Sequence, residues 1–300
     1  MGMNKRAPHL AAVITMIFWG LSYQSTRYVI VEIAPTLAVL YRFSLASLIL
    51  YLILKIRRKR LHILPEDRVK IFLAGLTGVA LNFTLENFGV KYTSTANVAL
   101  LVATIPAITL IFENRRLHQK THYQEAGGIL ISFIGIAVIS LAQATKGFSI
   151  SLFGDGLVLL SSVAWAAYTT LLSDLKGNYD SMEITLYTNV FGALCMVPTI
   201  FYTGLTIPGP KATFHLLYLV IFCSLIAYVL YMWALKRLGG IRINTYINIQ
   251  PVVGLAASVY FLKEPITVEK LMGAAFIVFG VWIVNRSRAK TIVLDPDGTN

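Results

Sequence analysis

Apolar stretches of about 20 residues follow one another along almost the whole chain, with short polar segments between them. A helix of this length crosses the hydrocarbon core of a bilayer. Isolated spans must satisfy their own backbone hydrogen bonds in lipid, so helices are expected, and the sequence lacks the short alternating segments of a β-barrel. The ten predicted spans have the approximate limits 10–30, 36–55, 70–90, 95–113, 124–143, 154–174, 181–203, 214–234, 243–262 and 268–285.

The chain contains an internal repeat at an offset of 145 or 146 residues. Five spans in each copy is an odd number, so the second copy is inverted in the membrane relative to the first, as in many secondary transporters. The predicted fold is an all-α polytopic membrane protein with ten transmembrane helices in two inverted five-helix repeats. The predicted repeats cover residues 8–147 and 148–288, followed by a short cytoplasmic tail, 289–300. The matching pairs are Pro106/Pro251, Gly128/Gly273, Gly135/Gly280, Trp19/Trp165 and Tyr41/Tyr187.

Composition and charge fit this prediction. Hydrophobic residues make up 56% of the chain and charged residues 13%, whereas soluble domains carry about a quarter charged residues. The net charge of +12 does not indicate nucleic-acid binding, because Lys and Arg concentrate in alternate polar segments. That bias places both termini in the cytoplasm of a cell-membrane protein. The opposite side keeps only Arg27, Lys91, Lys146, Lys211, Lys263 and Lys270.

Several short motifs resemble the EamA repeat of the drug/metabolite transporter superfamily, and the similarity covers residues 8–288. In the second half the motifs are Gln250-Pro251, Phe261-Leu262-Lys263-Glu264-Pro265, Gly273 and Gly280. In the first half they are Ile33-Ala34-Pro35-Thr36-Leu37, Tyr41-Arg42-Phe43, Tyr92-Thr93-Ser94-Thr95-Ala96-Asn97 and Ile105-Pro106.

The resemblance implies that helices 1–4 and 6–9 surround a central cavity, with helices 5 and 10 at the periphery. It also implies transport, because family members mostly export amino acids, other metabolites or drugs, and some import small solutes. The first repeat departs from the pattern where Gln119 stands at the position equivalent to Glu264. A carboxylate at such a helix junction is expected to cap a helix or meet its dipole.

A carboxylate within a predicted span, Glu86, is the most costly residue of the chain to bury. Arg42 lies at the same predicted depth on helix 2, so the two could form a structural salt bridge. The alternative is that Glu86 couples transport to protons or serves as the counter-ion of a cationic substrate. Asn82 lies one turn away on the same face, and this polar stripe either binds substrate or joins helices.

Helix 9 is the most polar span, and its Pro251 matches Pro106 of helix 4. Proline leaves the carbonyl four residues earlier without its helical donor. These prolines are therefore predicted as hinges or parts of the cavity wall, although prolines are also simply tolerated in membrane helices. The candidate polar residues on these helices are Asn97, Thr104, Arg242, Asn244, Tyr246, Asn248 and Gln250.

Aromatic pairs occupy equivalent helices of the two repeats. They suit a cationic or aromatic solute through cation–π contacts and stacking, with ordinary packing as the alternative. Glycines seven residues apart on helices 5 and 10 indicate close helix packing. The aromatic candidates are Trp19, Tyr23, Trp165, Tyr168, Tyr228 and Tyr231.

The sequence thus predicts a secondary active transporter of a small organic solute that works by alternating access. Amino-acid or metabolite export is the leading interpretation, and transport of cationic or aromatic drugs or quaternary amines is the alternative. A channel or an integral-membrane enzyme is disfavoured, because no ring-like filter and no catalytic cluster is evident. No cofactor or metal is expected, and proton coupling stays open. The expected partners are the small-molecule substrate and the lipid bilayer, and the protein is expected to be a monomer or a weak homodimer.

Overall fold

The computed structural model describes residues 6–118, 123–144 and 150–294, and within these ranges the regular structure is helical throughout. The predicted apolar stretches coincide with helices to within a few residues, and α10 extends further than predicted. The helices are α1 (Ala7–Glu32), α2 (Pro35–Ile56), α3 (Pro65–Tyr92), α4 (Thr95–Arg116), α5 (Tyr123–Ala144), α6 (Ile150–Ser173), α7 (Ser181–Met196), α8 (Pro210–Leu238), α9 (Gly240–Leu262) and α10 (Val268–Leu294), with a short helix Thr199–Thr203 after α7.

Six of these helices meet a criterion of length and hydropathy for crossing a membrane, counted over the described residues. The all-α, membrane-spanning fold class is therefore confirmed, and the count of ten spans remains a prediction. Gln119 and the tail beyond Leu294 lie outside the described residues. The six helices are α2, α3, α4, α8 and α9 over their full lengths and α6 over Ser151–Ser173.

Local sequence signals explain where several helices begin. Proline occupies the first turn of α2 and of α8, where its missing N–H costs nothing and its fixed φ favours the helix. Ser94 caps α4 by accepting a hydrogen bond from Asn97 N at 3.1 Å. Asp180 and Glu183 form a capping box at the start of α7, which satisfies two exposed backbone donors.

The two repeats run in opposite directions, as α5 and α10 show most directly. A Cβ on Gly135 of α5 would lie 2.6 Å from the carbonyl oxygen of Gly273, and a Cβ on Gly280 would meet the carbonyl of Gly128. The earlier glycine of each helix thus meets the later glycine of the other, so these equivalent helices are antiparallel. The predicted close packing at glycine is present, and the two helices make it with each other.

Irregular helical turns also occur in matching pairs. A 3₁₀ turn covers Val102–Thr104 in α4 and Tyr246–Asn248 in α9, shortly before Pro106 and Pro251. These turns stand where the sequence predicts that proline disturbs the helix. A π-helical segment covers Leu76–Leu81 in α3 and Leu219–Ile226 in α8. Such segments are frequent at functional sites, and both pairs border the centre of the molecule.

Candidate functional site

A small central cavity lies where the two repeats meet. Its volume is about 30 Å³, close to the share of one molecule in liquid water. An organic solute does not fit this conformation, so loading requires the walls to move. The lining comes from α1, α3, α4, α6 and α9, namely Trp19, Ser22, Tyr23, Asn82, Phe83, Glu86, Val102, Ile105, Trp165, Ile247 and Gln250.

The polar stripe on α3 faces this cavity. Asn82 is 4% exposed and Glu86 is 8% exposed, and both line the cavity wall. Within the described residues, neither side chain makes a hydrogen bond, and Glu86 has no cation within ion-pair distance. A buried carboxylate that lacks such partners is costly. The stripe therefore offers an amide and a carboxyl group to whatever enters the cavity.

Arg42 does not form the predicted salt bridge with Glu86 in this conformation. Its Nε donates to Ser224 Oγ at 2.5 Å, and its guanidinium stacks over Phe83 with 4.3 Å between Cζ and the ring centroid. Nη2 has no hydrogen-bond partner. Phe83 also lines the cavity, so the Arg42 guanidinium packs against a ring of the cavity wall and does not line the cavity itself. The matched depth of the two charges is not sufficient for pairing, because the rotation of α2 directs the guanidinium to α8.

Aromatic side chains from both repeats meet beside the cavity. The rings of Trp19 and Trp165 lie 5.1 Å apart at an interplanar angle of 84°, and Tyr231 lies 5.3 Å from each indole. Tyr168 is 5.0 Å from Trp165, and Tyr228 is 5.6 Å from Trp19. Edge-to-face contacts of this kind stabilise the cluster beyond the area that it buries. The paired tryptophans of the repeat are therefore direct neighbours.

Two of the predicted polar residues bond across the cavity wall. Tyr23 OH donates to Gln250 Oε1 at 2.5 Å, and Gln250 Nε2 lies 3.2 Å from Met16 Sδ. The indole N–H of Trp19 donates to the carbonyl oxygen of Cys223 at 3.1 Å, whereas Trp165 Nε1 is buried without a hydrogen-bond partner. The cavity wall therefore contains polar side chains that are already hydrogen-bonded and one indole N–H, that of Trp165, that has no acceptor.

A chain of hydrogen bonds crosses the bundle on one side of the cavity. Tyr231 OH donates to Asn244 Oδ1 at 2.7 Å, Asn244 Nδ2 donates to Thr109 Oγ1 at 2.9 Å, and Thr169 Oγ1 lies 3.3 Å from Tyr231 OH. These residues join α4, α6, α8 and α9. We call them the inner polar chain: Thr109, Thr169, Tyr231 and Asn244.

Beyond the inner polar chain lies a vestibule of about 1000 Å³. It is on the face where salt bridges such as Lys59–Asp180 at 3.8 Å and Lys176–Glu66 at 2.9 Å connect the polar segments. We call this the basic face, and it is the predicted cytoplasmic side. The charged residues that line the vestibule are Glu113, Arg116, Lys176, Lys236 and Arg242.

The opposite face is held shut by contacts between helix ends. Glu264, from the segment between α9 and α10, accepts hydrogen bonds from Thr95 N at 3.1 Å, Thr95 Oγ1 at 3.0 Å and Ala96 N at 3.2 Å. Asn87 Nδ2 donates to the Pro35 carbonyl oxygen at 3.0 Å. The expected helix-capping role of Glu264 is thus present, and it links the two repeats.

Other predicted residues lie away from the central cavity. Asn97 donates to Thr93 Oγ1 at 3.2 Å near the start of α4, and Thr104 bonds the carbonyl of Leu101 in its own helix. Tyr246 contacts His9 at 2.5 Å. Asn248 is half-buried, and its Oδ1 has no partner.

Sequence reasoning missed two sets of lining residues. The apolar cavity walls at Phe83, Val102, Ile105 and Ile247 look like any lipid-facing or core position in the sequence. The vestibule residue Glu113 lies near the end of a span, where the free-energy cost of inserting a carboxylate into the membrane is small. Its position therefore does not draw attention in the sequence. The sequence feature that could have identified Glu113 is a difference between the repeats, because the equivalent position 145 residues later is occupied by Ser258.

A helical membrane fold with two inverted repeats around a central polar and aromatic cavity defines the class of membrane transporters. A family model described as the EamA-like transporter family matches residues 6–141 and 152–286. The chain belongs to this family, which confirms the resemblance in the sequence motifs.

Relatives of similar length extend the comparison. Two uncharacterized transporters of Archaeoglobus fulgidus are 27% and 26% identical, over 93% and 94% of this chain and 99% and 98% of those proteins. The uncharacterized transporter YyaM of Bacillus subtilis is 25% identical over 88% of this chain and 89% of its own length. These names support transport and give no substrate.

A solved crystal structure shares the fold. It matches with a TM-score of 0.66 at 14% identity, and the match covers 96% of this chain and 99% of that chain. The helical arrangement described above is thus one that occurs in an experimentally determined protein.

Proposed function

We propose that the protein is a secondary active transporter that exports an amino acid or a related metabolite by alternating access, with Glu86 as its proton-coupling group. The observation that carries the proposal is Glu86 itself, a buried carboxylate on the wall of a small cavity between two inverted repeats. A group in that position can exchange a proton for substrate when the cavity opens to either side.

The unequal ends of the molecule support alternating access. The basic face contains the 1000 Å³ vestibule, whereas Glu264 and its partners close the opposite face. An alternating-access transporter exposes its site to one side at a time. We assign this conformation to the state that opens toward the cytoplasm, with both termini on that side of the cell membrane, and we expect a monomer or a weak homodimer.

The second candidate function is transport of cationic or aromatic drugs or quaternary amines. The aromatic cluster around Trp19 and Trp165 favours it, because such rings bind cations. Saturable counterflow of one solute in proteoliposomes supports a carrier, whereas conductance without saturation would indicate a channel. A panel of amino acids and quaternary amines then distinguishes the two substrate classes.

Glu86→Gln tests the coupling role. We expect the variant to retain counterflow at equal pH and to lose accumulation driven by a pH gradient by about tenfold or more, because the amide cannot carry the proton. Glu32→Gln is the matched control, since this carboxylate is exposed and accepts a hydrogen bond from Gly209 N at 2.6 Å. Gradient-driven accumulation at the wild-type level in Glu86→Gln would remove this residue from the mechanism.

A further inference from the structure

An apolar groove runs along the outer surface of the helix bundle next to the basic face. Its inner part has a volume of about 320 Å³ and lies between α2 and α7. Its outer part, of about 620 Å³, lies beside the segment between α2 and α3. The two parts are continuous, because Ile63, Tyr187 and Phe191 line both of them. We call them together the lateral groove.

The inner part of the lateral groove lies at the depth of the hydrocarbon of one leaflet. Leu48 on α2 is eight residues from the end of that helix at Ile56, which corresponds to roughly 12 Å. Val190 on α7 is nine residues from the start of that helix at Ser181, or roughly 13 Å. The hydrocarbon of one leaflet is about 15 Å thick. Leu48 and Tyr51 are 55% and 43% exposed, so an acyl chain can lie against them.

Hydrogen bonds hold the segment between α2 and α3 in place beside the groove. The hydroxyl of Tyr187 on α7 donates to the carbonyl oxygen of His62 at 3.0 Å. The backbone N–H of Leu64 donates to the hydroxyl of Tyr179 at 3.0 Å, and Tyr179 in turn donates to Asp67 at 2.9 Å. The groove is therefore already formed before a ligand binds, which lowers the entropic cost of binding.

The outer part of the lateral groove meets basic side chains that have no acidic partner. Arg68 lines this part and is exposed. Arg58 and Arg60 are also exposed, and they lie shortly before Leu61, which lines the groove as well. Within the part of the chain that the structure describes, no carboxylate lies within ion-pair distance of these three arginines.

The acidic side chains beside Arg68 are engaged elsewhere. Glu66 forms an ion pair with Lys176 at 2.9 Å, and this hydrogen-bonded carboxylate raises the pKa of Lys176. Asp67 accepts hydrogen bonds from the backbone N–H groups of Lys176 at 3.0 Å and Gly177 at 2.8 Å. Both carboxylates thus contact the segment between α6 and α7. The mouth of the groove therefore has an excess of positive charge.

We propose that the lateral groove is a binding site for an anionic phospholipid, whose acyl chain lies along α2 and α7 and whose phosphate group binds Arg68. A guanidinium pairs well with phosphate oxygens, and an acyl chain buries the apolar wall. A soluble anion would leave that wall uncovered, and the headgroup of a zwitterionic lipid would add a cation beside the arginines. The site is separate from the central cavity and does not depend on the proposed export function.

Lipid binding to the purified full-length protein in detergent tests the headgroup contact. The probes are phosphatidylglycerol and phosphatidylcholine with the same acyl chains, measured by native mass spectrometry, and we expect phosphatidylglycerol to bind the wild type more tightly. Arg68→Gln should raise its dissociation constant about fivefold, which corresponds to about 1 kcal/mol for one basic side chain near an anionic lipid. Arg115→Gln is the matched control, because Arg115 is exposed at the end of α4 and lies outside the groove.

A second pair of variants tests the apolar contact. Leu48→Trp places a larger side chain in the inner part of the groove and should weaken the binding of both lipids severalfold. Leu45→Trp is its control, because Leu45 is 41% exposed on the same helix and does not line the groove. Both positions are exposed, so both variants should fold, and thermal unfolding without added lipid checks this.

Three results would overturn the proposal. Equal affinity of the wild type for the two lipids would show that the headgroup is not recognised. Equal weakening by Arg68→Gln and Arg115→Gln would reduce the effect to a general attraction of anionic lipid to the basic face. Equal lipid binding by Leu48→Trp and Leu45→Trp would show that the acyl chain does not lie in the lateral groove.

Discussion

Glu264 is the residue that most directly ties the two repeats together. Its carboxylate comes from the segment after α9 and accepts hydrogen bonds from two backbone N–H groups and one hydroxyl at the start of α4. These N–H groups have no partner within their own helix, and the negative charge also meets the positive end of the helix dipole. One side chain therefore both caps a helix of the first repeat and closes the face opposite the vestibule.

Replacing Glu264 should weaken the fold and open that face. We expect Glu264→Ala to lower the free energy of unfolding by about 1–2 kcal/mol, the usual effect of removing a helix cap, and Glu264→Gln to lower it less, because an amide oxygen still accepts. Thermal unfolding in detergent measures this. Lys91→Ala, an exposed change on the same face, is the control. Equal stability of Glu264→Ala and wild type would show that the cap contributes nothing.

At the scale of helices, irregular turns occur at equivalent places in the two repeats. The 3₁₀ turns precede Pro106 and Pro251, and the π segments lie in α3 and α8. Tyr228 OH on α8 donates to the carbonyl oxygen of Gly78 at 3.1 Å, so a carbonyl within the α3 segment is satisfied by the other repeat. Irregular backbone inside a membrane protein is tolerated where protein covers it, and the two 3₁₀ turns contribute Val102 and Ile247 to the cavity wall.

The contact between α5 and α10 depends on residue size at particular glycines. Gly135→Leu should overpack this contact and destabilise the protein by about 1–3 kcal/mol, because even a Cβ would lie 2.6 Å from the Gly273 carbonyl oxygen. Gly127→Leu, on the same helix, should have little effect, since nothing lies within 4 Å of its Cβ position. Thermal unfolding of the two variants compares them, and equal midpoints would contradict this packing role.

At the scale of the whole molecule, the sequence was sufficient to predict the helices and the internal repeat, because both follow from periodic physical constraints. Span length follows from bilayer thickness, and the offset of 145 or 146 residues identifies Trp19 and Trp165 as equivalent positions of the two repeats. The direction in which an individual side chain points does not follow from such periodic constraints. Arg42 and Glu86 share a depth, yet Arg42 contacts Phe83 and Ser224, because helix rotation depends on packing that no local pattern encodes.

Charge distribution likewise predicts function only coarsely. The Lys and Arg bias identifies a basic face, but it does not reveal that α4, α6, α8 and α9 splay there into a vestibule. Glu113 is an ordinary span-end carboxylate in the sequence, and only its three-dimensional setting leaves Oε1 without a partner. Sites of this kind arise from where helix ends diverge, which depends on long-range packing.

The orientation of the whole molecule can be tested with single cysteines in a background where Cys195 and Cys223 are replaced by serine. Asn178 lines the vestibule and is exposed, and Thr206 is exposed on the opposite face. Because positively charged segments stay in the cytoplasm, Asn178→Cys should react with a membrane-impermeant thiol reagent only in inside-out vesicles. Thr206→Cys should react in intact cells. Transport activity of both variants serves as the control for folding. The reverse labelling pattern would place the vestibule on the outside of the cell, which would contradict its assignment as the cytoplasmic entrance of an exporter.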